Sequence, residues 1–366
     1  MIGAVSRTQP SQSHWLPAFG LALGTALAST PMAVAAQEAD TSEESNQETP
    51  HYGAELEGFD YPYPVERFRF TSQRQDLQMA YLDVPAEDPN GQTVVLMHGK
   101  NFCAATWQDS IERLNDAGYR VIAPDQIGFC KSSKPEAYQF SFHQLAANTH
   151  ALLENLDVDD VTVMGHSMGG MLASRYALMY PDDTEQLVLV NPIGLEDWKA
   201  MGVPYQSIDE TYAAEKQKTA EAIRQYQKST YYVGEWEPRY DRWVNMLAGM
   251  YAGDGGDRVA WNQTLTSDMV FTQPVIHEFD KIQVPTLLLI GEQDNTAIGK
   301  GRASDALQKK LGDYEVLGER AADRIPDAEL VEFPDLGHSP HIQQPERFHK
   351  ALFNGLERLN DTDTST

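Results

Sequence analysis

Cysteine is nearly absent from this chain: 366 residues hold two, and basic residues are scarce, 28 Lys and Arg against 54 Asp and Glu. Two cysteines cannot build a disulfide-dense scaffold or a four-thiolate zinc site. The formal net charge of −26 gives an acidic, solvated surface that repels nucleic acid and anionic membranes, so neither is an expected partner. His51, His143, His150, His277 and His349 lack metal-ligand spacing, and no metal or cofactor is expected. There is no internal repeat. The one extended apolar stretch, "WLPAFGLALGTALA", is short and interrupted by Pro17 and glycines, so a stable membrane anchor is not expected.

That stretch follows Arg7 and precedes the small residues "AVAA". Residues 1–36 therefore read as a secretory signal, cut after Ala35 or Ala36, and an exported protein, periplasmic or secreted, is expected. No cysteine follows the cut, which argues against lipid attachment. Residues 37–64 begin "QEADTSEESNQETP", acidic and without apolar periodicity, and read as a disordered linker; the tail 361–366 reads the same way.

Between linker and tail, 41% hydrophobic content and ample length support a buried core. An alternating stretch, "VERFRFTSQRQDLQMAYLDVP", predicts a leading hairpin. Short Val/Ile/Leu runs then alternate with helical patterns. "TVVLMHG", "RVIAPDQIG", "DVTVMG" and "QLVLVNP" are strands; "TWQDSIERLNDAGY" and "SFHQLAANTHALLENL" are helices, opened by Thr106–Asp109 and Ser141–Gln144 capping patterns. The rhythm returns with "PTLLLIGEQD", "AELVEFPDLGH" and a last helix from "QPERFHKALFNGLERL". Continuous apolar strands separated by helices imply a mostly parallel sheet covered on both faces. Residues 195–280 lack such strands and are rich in Tyr, Trp and Met; a long helix is expected over "SIDETYAAEKQKTAEAIRQYQ". They read as a helical cap dividing a core of residues 65–194 and 281–360.

One short segment carries chemistry. "GHSMG" puts Ser167 between a strand and a helix, flanked by Gly165 and Gly169. Such a turn lifts the central side chain clear of the sheet, and its neighbours must be small to let the strand and helix pass. The helix N-terminus behind the serine favours negative charge there. A serine hydroxyl needs a base oriented by an acid. Asp294 follows the strand "LLLIG" and His338 follows the next strand, so the order Ser, Asp, His places all three at the carboxyl edge of the sheet. Glu292 and Asp335 are the competing acids. Glu292 sits at the strand end rather than in the loop, and Asp335 is too near His338 in sequence to reach round to it.

With these residues in place, residues 65–360 resemble the α/β-hydrolases, in particular the lid-bearing serine hydrolases. The likeness rests on "HG" after the third strand, "DQIGFCKSSKP" after the fourth, "GHSMGG", "GEQD" and "GHSPHIQQPERF". It implies an eight-stranded, mostly parallel sheet with a helical cap inserted after strand six. It also implies an oxyanion hole from the backbone N–H of Met168 and one in the loop after His98 and Gly99, at Lys100 with Asn101 behind. In that family His98 orders the loop, and His166 packs beneath the nucleophile. The family usually has a second glycine where this chain has Cys130. Cys103 lies in the neighbouring loop, so an exported protein would bond the pair, the other reading being two buried thiols. Closing a loop of about 27 residues would stabilise by roughly 3 kcal/mol in the chain-entropy model.

The resemblance implies cleavage of a carboxylic ester of a small or medium, apolar substrate through an acyl-enzyme. Activity is then expected to fall on acidification, since the base must be neutral. Epoxide hydrolases and haloalkane dehalogenases need Asp at the elbow. Three readings stay open: a carbon–carbon bond hydrolase, whose elbow often reads as here; a proline iminopeptidase, whose elbow usually has Trp where this chain has Met168; and a non-catalytic ligand receptor on the same fold.

Overall fold

A computed structural model describes residues 48–363, side chains through 360. The expected signal over 1–36 lies outside the described residues, as do positions 37–47. Among the described residues no helix is long and apolar enough to cross a membrane.

The chain starts with the antiparallel pair β1 (Glu66–Ser72) and β2 (Gln75–Val84), as the alternation in that stretch predicts. β3 (Thr93–Met97), α1 (Gln108–Asp116), β4 (Arg120–Pro124), α2 (Phe142–Asn155), β5 (Val161–His166), α3 (Met168–Met179) and β6 (Thr184–Val190) follow. Next come α4 (Trp198–Met201), α5 (Ile208–Glu215), α6 (Ala220–Tyr226), α7 (Asp241–Ala252) and α8 (Gly256–Thr272), with no strand among them. The sheet resumes with β7 (Thr286–Gly291), α9 (Asp305–Gln308), α10 (Tyr314–Ala322) and β8 (Ala328–Phe333), and the chain closes with α11 (Pro340–Gln343) and α12 (Pro345–Asp363). The eight strands form one sheet in the order β1-β2-β4-β3-β5-β6-β7-β8, parallel from β4 to β8.

Strand alternation sends successive side chains to two apolar layers. Val95 and Met97 of β3 join Leu152 of α2 and Leu172 of α3 in one layer; Val94 and Leu96 join Ile111 of α1 and Phe348 of α12 in the other. Covered on both faces, the central strands can be apolar throughout, and every residue of β5 and β7 is buried.

Four local expectations need correction. The stretch read as a linker is packed from residue 48 onward. Leu56 and Phe59 are buried, Tyr52 N–H donates to Gly249 O at 2.9 Å, and Tyr61 Oη–H donates to Asp125 Oδ2 at 2.6 Å. Its few apolar and aromatic side chains find a core face that an acidic average conceals. At the other end, α12 runs on through Asp363 rather than stopping at 360. The helix expected from residue 207 is two, because Thr219 caps a new start by accepting from Ala222 N–H, and the Ser207–Glu210 capping box serves α5 alone. Thr106 caps nothing: it sits within a short 3-10 turn before α1 and donates to Cys103 O. Ser141 does cap α2, accepting from Gln144 N–H.

Candidate active site

Ser167 stands between β5 and α3 with φ 57° and ψ −121°, a conformation costly for a residue with a Cβ. Its neighbours show how the turn is forced. A Cβ on Gly165 would lie 2.1 Å from Gly169 O, and one on Gly169 would lie 2.0 Å from Met97 O. Strand, turn and helix are therefore in backbone contact, and only glycine permits it. Met168 is the first residue of α3, so its N–H has no acceptor within the helix.

His338 comes from the loop after β8 and Asp294 from the loop after β7. His338 Nε2 is 2.8 Å from Ser167 Oγ, and His338 Nδ1 is 2.6 Å from Asp294 Oδ2. A carboxylate only accepts, so Nδ1 carries the proton and Nε2 is left to accept from the serine hydroxyl. All three side chains are buried. Both ring nitrogens are thereby engaged, leaving none for Glu292 or Asp335, and Asp335 pairs instead with Arg347.

Asp294 is held in turn. Its Oδ1 accepts from the Thr296 N–H and hydroxyl at 2.9 and 2.7 Å, and its Oδ2 accepts from Asn191 Nδ2 at 3.1 Å. Asn191 also clamps the end of β7, accepting from Gly291 N–H and donating to Gly291 O. Sequence reasoning missed Asn191 and Thr296. The available signal was a buried amide at the end of an otherwise apolar strand, "VLVNP".

The loop after β3 runs beside the serine: a Cβ on Gly99 would lie 3.0 Å from Ser167 Cβ. His98 ties it to the next loop, donating from Nδ1 to Gly99 O and accepting at Nε2 from Gln126 N–H. Cys103 and Cys130 are bonded, which joins the same two loops covalently. Lys100 extends into the cap, its Nζ donating to Gln263 Oε1 at 2.8 Å and lying 3.4 Å from Glu215 Oε1. Burial lowers the Lys100 ammonium to about 8 despite the attraction of Glu215. Burial acts to raise Glu215, yet Lys100 and Lys218 together hold it down to about 2. Asn101 donates to Tyr231 Oη at 2.8 Å.

Two neighbouring cap residues reach the site, Thr230 through its carbonyl, which accepts from His338 N–H at 3.3 Å, and Tyr231 through its ring. Tyr231 ends a π-helical turn after α6, and its ring lies 4.9 Å from the His338 ring and 5.4 Å from Phe102. The neighbouring aromatics turn inward instead: Tyr232 stacks on Tyr240 at 3.7 Å, beside Trp236. Beneath the serine, His166 donates from Nε2 to the His338 carbonyl at 2.8 Å. Burial first, then the nearby His341 and His338, keeps its pKa well below the usual histidine range.

One cluster has metal-like composition among the described residues. Cys103, Asp125 and Cys130 bring three donor atoms within 4.8 Å of one another. The sulfurs are spent on each other, and the Asp125 carboxylate accepts from Ala104 N–H, Lys131 N–H and Tyr61 Oη–H. That donor set does not fit a cation.

Comparison with known proteins agrees with this architecture. The family model described as the alpha/beta hydrolase fold matches residues 92–345. The crystal structure of a probable hydrolytic enzyme from Pseudomonas aeruginosa PAO1 is 66% identical, with TM-score 0.84, covering 84% of this chain and 99% of that one. An esterase from Exiguobacterium antarcticum shares the fold at TM-score 0.61 and 21% identity, over 77% of this chain and 96% of its own. Among curated relatives, a haloalkane dehalogenase from Mycolicibacterium paratuberculosis is 34% identical over 135 residues. That match takes in 36% of this chain and spans 44% of the relative, under half its length. The chain belongs to the alpha/beta hydrolase fold family.

Proposed function

We propose that the protein is a serine hydrolase that cleaves carboxylic esters through an acyl-enzyme. One observation carries the reading: the unbroken hydrogen-bonded series from Ser167 Oγ through His338 to Asp294 Oδ2. Ser167 attacks the ester carbonyl while His338 Nε2 takes its proton, and Asp294 holds the imidazole in the tautomer that leaves Nε2 free. The imidazolium then protonates the departing alkoxide. Water attacks the acyl-enzyme with His338 again as base, and Ser167 is restored. The N–H groups of Met168 and of Lys100 or Asn101 hold the tetrahedral oxyanion, a contribution of about 3 kcal/mol for one such donor.

The dehalogenase relative does not move this assignment, because that chemistry requires a carboxylate at the elbow and this chain has Ser167 there. Export is part of the same proposal, supported by the Cys103–Cys130 bond, which an oxidising compartment maintains.

Labelling by a fluorophosphonate probe, together with turnover of short p-nitrophenyl esters, tests it. Ser167→Ala is expected to abolish labelling and to lower kcat by about 10⁴-fold or more, with the fold intact by circular dichroism. A native protein that neither labels nor turns over any ester would leave the receptor reading standing.

A further inference from the structure

Beside the loop that passes Ser167 lies a cavity of about 340 Å³ whose wall includes Lys100, Asn101, Glu215, Lys218 and Tyr226. Ile223, Leu247 and Ile298 supply apolar lining. Two of these groups tie it to the candidate site: Asn101 holds Tyr231 over His338, and Tyr226 lies beside Thr296, which in turn supports Asp294.

The charges in this cavity do not balance. Glu215 Oε1 faces Lys100 Nζ at 3.4 Å and Glu215 Oε2 faces Lys218 Nζ at 2.8 Å, so one carboxylate serves two ammonium groups. The remaining bond to Glu215 comes from Tyr251 Oη, a neutral donor, and Lys100 is completed by the neutral amide of Gln263. The adjoining cleft, which shares Glu215 and Lys218, adds Asp268 and Arg302, and Arg302 is already faced by Glu210, so the surplus belongs to the cavity's own lining. A surplus positive charge thus sits on the wall of a partly open, largely apolar cavity, on the buried Lys100 and the part-exposed Lys218, within a protein of net charge −26. Isolated charge is expensive there unless it is paired. It is worth keeping where an anion arrives to pair with it.

From this charge imbalance we infer that the cavity binds a carboxylate, and that the substrates are esters whose acyl part ends in one. The apolar wall would take the intervening methylenes, and the Lys100–Lys218 pair would take the terminal anion while Ser167 meets the ester carbonyl. The inference rests on the hydrolase reading and adds the substrate class to it.

Two esters with the same acyl length decide it: p-nitrophenyl valerate and the mono-p-nitrophenyl ester of glutaric acid. The wild type is expected to favour the glutarate ester in kcat/KM by about tenfold, as one charge-assisted contact supplies, and the preference should shrink with added salt. Lys218→Met makes the cavity neutral and should bring the ratio to near parity, while Lys218→Arg restores it. Parity or a preference for valerate in the wild type overturns the inference, as does a ratio indifferent to Lys218→Met. Fluorophosphonate labelling separates the two failures: a labelled enzyme without the preference loses only the substrate class. If no labelling occurs, calorimetric binding of glutarate to Ser167→Ala decides the cavity's role. Binding that Lys218→Met abolishes supports it, and absence of binding ends it.

Discussion

Ser167, His338 and Asp294 act only if their geometry is held, and at the residue scale the less visible supports are the ones worth testing. Asn191 is wholly buried and its side chain makes three hydrogen bonds, one to Asp294 and two to the backbone of Gly291. Truncation to Ala strands the Gly291 N–H, a loss of about 1–3 kcal/mol for a buried donor. It also removes one of the donors that hold Asp294. The expected outcome for Asn191→Ala is a lower urea midpoint together with a fall in kcat larger than any change in KM. An unchanged kcat with lowered stability would confine Asn191 to clamping β7. At this scale the sequence was readable where residue type and turn chemistry are local. The Gly-x-Ser-x-Gly turn, and His338 after Gly337, are visible without a structure. Asn191 and Thr296 were not, because a buried amide in sequence does not say which carboxylate it faces.

Among the elements, the loops after β3 and β4 are stapled twice, by His98 and by the bond between Cys103 and Cys130, whose Cα atoms are 5.9 Å apart across 27 positions. Both sulfurs are buried. Replacing both by Ala is expected to lower unfolding stability by roughly 3 kcal/mol, read from denaturant titration. Native protein should yield no alkylatable thiol before reduction. Because the first of these loops carries Lys100 and Asn101, ester turnover should fall in the double variant beyond what partial unfolding explains. The cap elements were the least legible. Helical periodicity runs across residues 216–219 without a Gly or Pro to mark a stop, and the break is made by Thr219 capping outward and Glu215 turning inward to two lysines.

For the whole molecule, acid stability follows from how many histidines the core buries uncharged. Burial lowers His98, His166 and His341, and lowers His349 to about 4. The unfolded chain takes up these protons near the ordinary value of 6.5, which the folded chain resists until about 4 in the case of His349. Between the two values the unfolded state binds more protons, so stability falls as pH drops through that window. The full loss is on the order of 3 kcal/mol for His349 once the pH is below its folded value. Glu215, held down to about 2, adds a further loss as pH falls below the usual carboxylate range. Relief of self-repulsion in so acidic a chain works the other way. Comparing His349→Gln with wild type isolates the histidine: urea midpoints between pH 6.5 and 4 should fall less steeply in the variant. Equal slopes would contradict a neutral buried His349.

The sequence by itself determined the parallel sheet, the covered faces and the order of Ser167, Asp294 and His338 along its carboxyl edge. Those features depend on apolar runs and turn residues that act within a few positions. Tertiary structure alone decided which of the many cap tyrosines meets His338, that residues 48–64 pack, and that Lys100 pairs with Glu215 across 115 positions. Each depends on where the cap docks, and docking is set by the summed packing of helices far apart in the chain, which no local pattern encodes.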